Sequence, residues 1–404
     1  MIFMIPAVTT KMQPRRNFAI FGSALLALFL AGCGGNSSKQ QQNQTTGLKK
    51  RVLLSNQTAG LVHIVDAVND KIAASIGVTS ADKLVTSNGI TVAIQNGQSS
   101  IAVINNASEQ VAQQPLLPAR AEDIAISSDG KTLFAAVHNA GVVDFITSDG
   151  AITPVNVAGV NRLVLSPNGT KLLAFTDNPT ASFAIIDVSS RAVTPVSNPI
   201  LDQPFTGVFA GSETQAFILN CGAECGGTAA SVVPVNFSTA TATVGTAIPV
   251  SGATVGLLSG SSLFVAGTPL GSNRGTLQTI NTSTLAASAP ITIPDGRHLN
   301  MRLASNNRLY VGSRTCTTIP DPANNLVHGC VAIVDTSSGS VVVPEFPVIR
   351  SSFDVTGILP ITNRNVMYVV EGGELDIFDI TTNALTATQL DVVGKAIDVV
   401  QIDP

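Results

Sequence analysis

Residues 125–135 read AISSDGKTLFA and residues 164–174 read VLSPNGTKLLA, 39 positions apart. Each stretch is a short apolar run, an Asp-Gly or Asn-Gly pair, and a second apolar run. Such pairs tolerate positive φ and close two-residue hairpins whose twist matches that of the flanking strands. Each stretch therefore predicts an antiparallel hairpin. Five more come from TSNGITVAI, AGSETQAFIL, LSGSSLFVAG, ASNNRLYVG and TNRNVMYVV. A period near 40 built from short strands is that of a four-stranded propeller blade.

A second marker keeps the same period. An apolar strand ends in Asp or Asn, with Ser or Thr commonly just after. It occurs as HIVDAVND at 63–70, AVINNASE at 102–109, AIIDVSSR at 184–191 and VPVNFSTA at 233–240, then as QTINTSTL at 278–285, AIVDTSSG at 332–339 and DIFDITTN at 376–383. Asp and Asn can close a tight turn by accepting backbone N–H groups two residues on. VVDFITSDG at 142–150 reads as a degenerate eighth copy, with Ile146 where the Asp belongs. From Val52 onward no helical period interrupts these runs. The first unit lacks an innermost strand, and AIDVVQIDP at 396–404 has no hairpin partner. The expected fold is all-β, a propeller of four-stranded blades closed by the C-terminal strand joining the first blade. Eight blades are expected, with seven as the alternative. Closure hides both open edges of the ring.

The Ser-Pro-Asn-Gly hairpin at 166–169 and the Val-Asp-Thr-Ser turn at 334–337 resemble the YVTN-type propellers, relatives of the lactonase-like and quinoprotein-like propellers. The resemblance covers residues 51–404. No blade keeps an intact Tyr-Val-Thr-Asn strand. The family implies the fold, while binding, hydrolytic and redox roles all occur on such rings.

The N-terminus carries an address. Arg15-Arg16 precedes an apolar run at Phe18–Leu30, closed by Leu30-Ala31-Gly32-Cys33. This resembles the bacterial lipoprotein signal, in which the Cys thiol takes a diacylglyceryl group and its freed amine is acylated. More than one acyl chain is needed for a stable anchor. The expected organisation is a signal peptide at 1–32, lipidated Cys33 with a disordered polar tether to residue 50, and one propeller domain over 51–404. Gly34 after the Cys, rather than Asp, points to the outer membrane, with the ring facing the periplasm or the cell surface.

Composition narrows the function. Without residues 1–32 the chain holds 19 basic and 26 acidic residues, a net charge of −7. Nucleic acid needs a basic face, so it is excluded as a partner. There is no Trp and only two Tyr, against sugar or single-strand binding and against stacked quinone cofactors. His63, His138, His298 and His328 form no HxH or HExxH motif, so neither a metal nor a cofactor is expected. In an exported protein, Cys221 with Cys225 and Cys316 with Cys330 read as two local disulfides.

The chain is only 12% charged, yet ionisable residues stand just before nearly every inner strand. They are Asp82 and Lys83; Arg120, Glu122 and Asp123; Arg162; Asp202; Asp295, Arg297 and His298; Arg350 and Asp354; and Lys395 and Asp398. In a propeller these positions ring the channel mouth. Opposed charges in a partly dry funnel perturb one another as binding sites do. The leading expectation is a membrane-anchored envelope module that binds a partner protein or a small polar ligand there. The alternatives are a lactonase-like or other hydrolase using those charges, and a structural component of an envelope complex.

Overall fold

The structure is a computed structural model that describes residues 45–177, 183–211, 213–238, 241–317, 328–343, 354–386 and 390–403. Cys33, the expected lipidation residue, and the candidate Arg350 lie outside these residues.

The hairpin chemistry acts as its residues dictate. Asn88 and Gly89 have φ of 42° and 79° between strands Ala81–Ser87 and Ile90–Gln95, the double positive-φ geometry that suits a tight hairpin. Gly372 and Gly373, at 62° and 89°, do the same between Val366–Glu371 and Glu374–Asp379.

The third-strand turns repeat one device. The Asp335 and Asp379 carboxylates each accept two backbone N–H groups from the following turn, as do the Asn105 and Asn281 side-chain oxygens. Asp66, Asp187 and Asn236 each accept one. In blade 3 the register pairs Thr132 with Thr147, the place that Asp187 holds opposite Lys171 in blade 4. Thr147, and not Ile146, therefore occupies the turn position.

Eight antiparallel sheets form the ring, seven of four strands and one of five. In blade 1 the C-terminal strand Ala396–Gln401 pairs with Arg51–Asn56, followed outward by Leu61–Asp66 and Lys71–Gly77. The other inner strands are Ala81–Ser87, Asp123–Ile126, Val160–Leu165, Pro204–Phe209, Val255–Ser259, His298–Leu303 and Val355–Pro360, in blades 2 to 8.

Apolar side chains of adjacent sheets pack into eight clusters, each bridging two neighbouring blades. Phe134 is fully buried and meets Phe145 edge to face at 4.9 Å between centroids. Truncating a buried ring of this kind costs about 3–5 kcal/mol. The cluster joining Tyr368 and Val370 of blade 8 to Val52 and Leu54 of blade 1 closes the circle.

A charged clamp reinforces this closure. The Arg51 guanidinium bonds both Asp403 carboxylate oxygens, at 2.7 and 2.8 Å, and Glu109 of blade 2 at 2.9 Å. Glu109 also accepts both the backbone N–H and the hydroxyl of Thr46. Leu48 packs against the cluster between blades 1 and 2. Residues 45–50, expected to be tether, thus lie against the ring.

Candidate functional site

The inner strands explain why the channel collects charge. In blades 1, 2, 4, 5, 7 and 8 the register shifts near the start of the inner strand. A regular strand sends successive side chains to opposite faces, whereas a bulge re-aims them. Consecutive residues can then both face the channel, as Asp82-Lys83, Asn161-Arg162, Leu299-Asn300 and Ile397-Asp398 do.

These residues line a cavity of about 1090 Å³. Seven cations and six carboxylates surround it. Of the residues expected at the mouth, Asp82, Lys83, Arg120, Glu122, Asp123, Arg162, Arg297, Lys395 and Asp398 line it. Asp354 stands behind that surface, bonded to the lining residue Arg314.

Asp295 and His298 depart from the expectation: both are buried in the wall and do not line the cavity. The Asp295 carboxylate binds the backbone N–H and hydroxyl of Thr317, next to Cys316. His298 sits near the Thr268 hydroxyl, and burial pushes its imidazole down to about 4. It is a neutral wall residue at pH 7. Asp202 is likewise engaged elsewhere, accepting the backbone N–H groups of Thr228 and Ala229.

Several carboxylates stitch blades together. Asp123 accepts Lys83 Nζ at 2.6 Å and the Leu163 N–H of blade 4 at 3.0 Å. Attraction to Asp123 raises the Lys83 ammonium above its usual range. Asp398 of blade 1 accepts the Leu84 N–H of blade 2 at 2.9 Å and the Val399 N–H at 2.8 Å. Burial pushes Asp398 up to about 6, against these bonds and the nearby Lys83 and Arg302 charges. Burial also raises Asp82, opposed by Arg120, Arg314, Lys395 and Lys83.

The other arc carries Arg162, Arg297 and Arg302, with the acids Asp177 and Glu224 also lining the cavity. The Arg162 guanidinium lies 3.4 Å from the Phe205 ring centroid and donates to the Phe205 carbonyl at 3.2 Å. The Arg297 guanidinium lies 5.0 Å from the same ring. Burial pushes Arg162 down to about 10, and repulsion from Arg297 adds to this.

Both local disulfides are formed, Cys221 to Cys225 and Cys316 to Cys330. The first closes the turn Gly222–Cys225, whose Glu224 lines the cavity and accepts the Thr268 N–H at 2.9 Å. His63 is structural. Its Nδ1 meets Ser75 at 2.7 Å and its Nε2 meets Asn56 at 3.0 Å. Asn56 in turn holds the backbone of Val393 and Lys395, and so the loop that carries Lys395 to the mouth. Among the described residues no group of His, Cys, Asp and Glu has the arrangement of a metal site.

Sequence reasoning missed Arg302, Arg314, Glu224, Asp177 and Phe205. Arg302 was within reach of it, two residues beyond Asn300 on the same strand face. Glu224 is the one acid in a four-residue disulfide spacing.

No protein-family model and no curated protein sequence matches this chain. Solved structures do. The dihydro-heme d1 dehydrogenase NirN is similar at a TM-score of 0.68 and 10% identity, over 87% of this chain and 75% of that one. AztD from Citrobacter koseri is similar at 0.59 and 13%, over 87% and 97%. Virginiamycin B lyase from Staphylococcus aureus is similar at 0.53 and 15%, over 72% and 90%. At these identities the likeness is one of fold: this chain is an eight-bladed β-propeller.

Proposed function

We propose that the ring is a non-catalytic binding module, tethered to the cell envelope by acyl chains on Cys33, that takes a small polar ligand or a polar segment of a partner protein at its channel mouth. The observation that carries this reading is the cavity of about 1090 Å³ lined by ionisable side chains from an otherwise charge-poor chain. Concave sites with a few convergent polar groups are where ligands usually bind. The lipoprotein-like signal supports the anchor, and the paired cysteines fit an oxidising compartment. The YVTN resemblance fits a ring whose role lies in its loops and channel.

The test is crosslinking in intact membranes with the tether present. A crosslinked partner or co-purifying ligand that is lost in the double variant Lys83→Ala/Arg120→Ala supports the reading. A clean wild-type pull-down and an empty native mass spectrum would refute it. Cys33→Ser is expected to move the protein from the membrane fraction to the soluble one, with loss of the acyl mass. Turnover of a panel of lactones, abolished by Glu122→Ala without unfolding, would favour the hydrolase instead.

A further inference from the structure

The charges around the cavity are unevenly satisfied. On the arc of blades 1 to 3, Asp82, Asp123 and Asp398 engage cations or the backbone. Asp123 is bonded by Lys83 and two backbone N–H groups, Asp398 by two backbone N–H groups, and Asp82 faces Arg120 at 3.8 Å. The arc of blades 4 to 7 differs. Arg162 donates to the Phe205 carbonyl and Arg302 to the Met301 carbonyl at 2.9 Å, while Arg297 faces the Phe205 ring. Among the described residues none of these three guanidinium groups is paired with a carboxylate.

Resting on the binding reading above, we propose that the ligand is a small, multiply anionic molecule bearing carboxylate or phosphate groups, seated against Arg162, Arg297 and Arg302. The planar fork of Arg matches both kinds of oxyanion bidentately. Two of these forks are organised by one aromatic ring, so part of their ordering cost is met before any ligand arrives. Phe205 and Leu299 add apolar surface for the body of the ligand. Arg162 feels attraction from Asp123 and, more weakly, repulsion from Arg297 across this site. An anion between the two arginines relieves that repulsion, which a neutral or cationic guest cannot do. On the opposite arc Asp82, Asp123 and Asp398 already engage cations or the backbone.

The experiment is titration calorimetry on the full-length chain in detergent, with probes that differ in charge. They are trimesate (a benzene ring with three carboxylates), its tri-alcohol and tri-amine counterparts, and pyrophosphate. Trimesate or pyrophosphate is expected to bind at pH 7 and to weaken as salt rises. Which of the two binds more tightly separates carboxylate from phosphate recognition. Arg162→Ala, Arg297→Ala and Arg302→Gln should each weaken the anion about 10- to 100-fold. Lys131→Ala, exposed on the hairpin between the inner and second strands of blade 3 and outside the cavity lining, should leave it unchanged. Arg162→Lys keeps the charge without the fork and should lie between. If Arg162→Ala fails to fold, Arg162→Lys and Arg302→Gln carry the test. Binding of the tri-amine or tri-alcohol but of neither anion overturns the anionic class and leaves the binding reading standing. Binding of no probe also overturns this inference, and the crosslinking result alone then decides the broader reading.

Discussion

Replacing Asp144 by Val should stabilise the ring. Asp144 lies in the third strand of blade 3, Val142–Thr147, and is fully buried. It shares a strand face with Val142 and Ile146, which pack into the cluster between blades 2 and 3. Neither carboxyl oxygen has a hydrogen-bond partner. An unsatisfied buried polar group costs about 1–3 kcal/mol, and Val is apolar, small and β-branched, which suits a buried strand. The variant should therefore be more stable than wild type by about 1–3 kcal/mol at pH 4. The gap should widen with pH. Burial raises the Asp144 carboxyl above its ordinary value of 3.8, so the folded state favours the protonated form. Wild-type stability is then fullest below the unfolded value and falls as pH rises, because the unfolded chain ionises first. Asp144→Asn should abolish this pH dependence while keeping the unpartnered polar group. The assay is urea unfolding at pH 4 and pH 7 followed by circular dichroism, with unchanged denaturant slopes as the check on comparability. A Val variant less stable at both pH values, or a gap that does not change between them, would refute the reasoning.

Three further outcomes are expected. Arg51→Ala should destabilise the ring by about 1.5–3 kcal/mol, and a double-mutant cycle with Asp403→Asn should show coupling; additive losses would mean that the clamp closes nothing. Anion affinity should rise as pH falls through about 6, where Asp398 between Leu84, Lys83 and Arg302 gains its proton; Asp398→Asn should bind tightly at both ends of that range, and a flat wild-type profile would count against the assignment. Replacing Cys316 and Cys330 by Ser should cost about 3 kcal/mol for a loop of 14 residues, measured as a lower unfolding midpoint under oxidising conditions and no difference under reducing ones.

The blade number was legible because the turn marker is local. An Asp or Asn that accepts N–H groups from the following turn leaves the same trace in seven of the eight blades, whatever the rest of the blade does. Blade 3 was misread by one residue because Thr147 takes the turn with a shorter, neutral side chain, and only the pairing with Thr132 reveals it. The charges at the mouth were visible because bulges place two consecutive polar residues there, as at Asp82-Lys83. Asp295 and His298 carry the same kind of signature in one dimension. Asp295 is instead held by Thr317 beside the Cys316–Cys330 bond, and His298 sits in the wall near the Thr268 hydroxyl. Arg314 reaches the cavity from the end of the long second strand Arg308–Cys316 and Glu224 from the turn Gly222–Cys225, each held by a distant partner, Asp354 and Thr268.

The closure of blade 1 also has a mechanical meaning. The strand Arg51–Asn56 has a neighbour on both sides, Leu61–Asp66 and Ala396–Gln401. A load applied through the residues ahead of Arg51 therefore falls on an interior strand and not on an edge. To pull it free, both ladders and the Arg51 clamp must yield together, so the force is resisted in shear and cannot peel one hydrogen bond at a time.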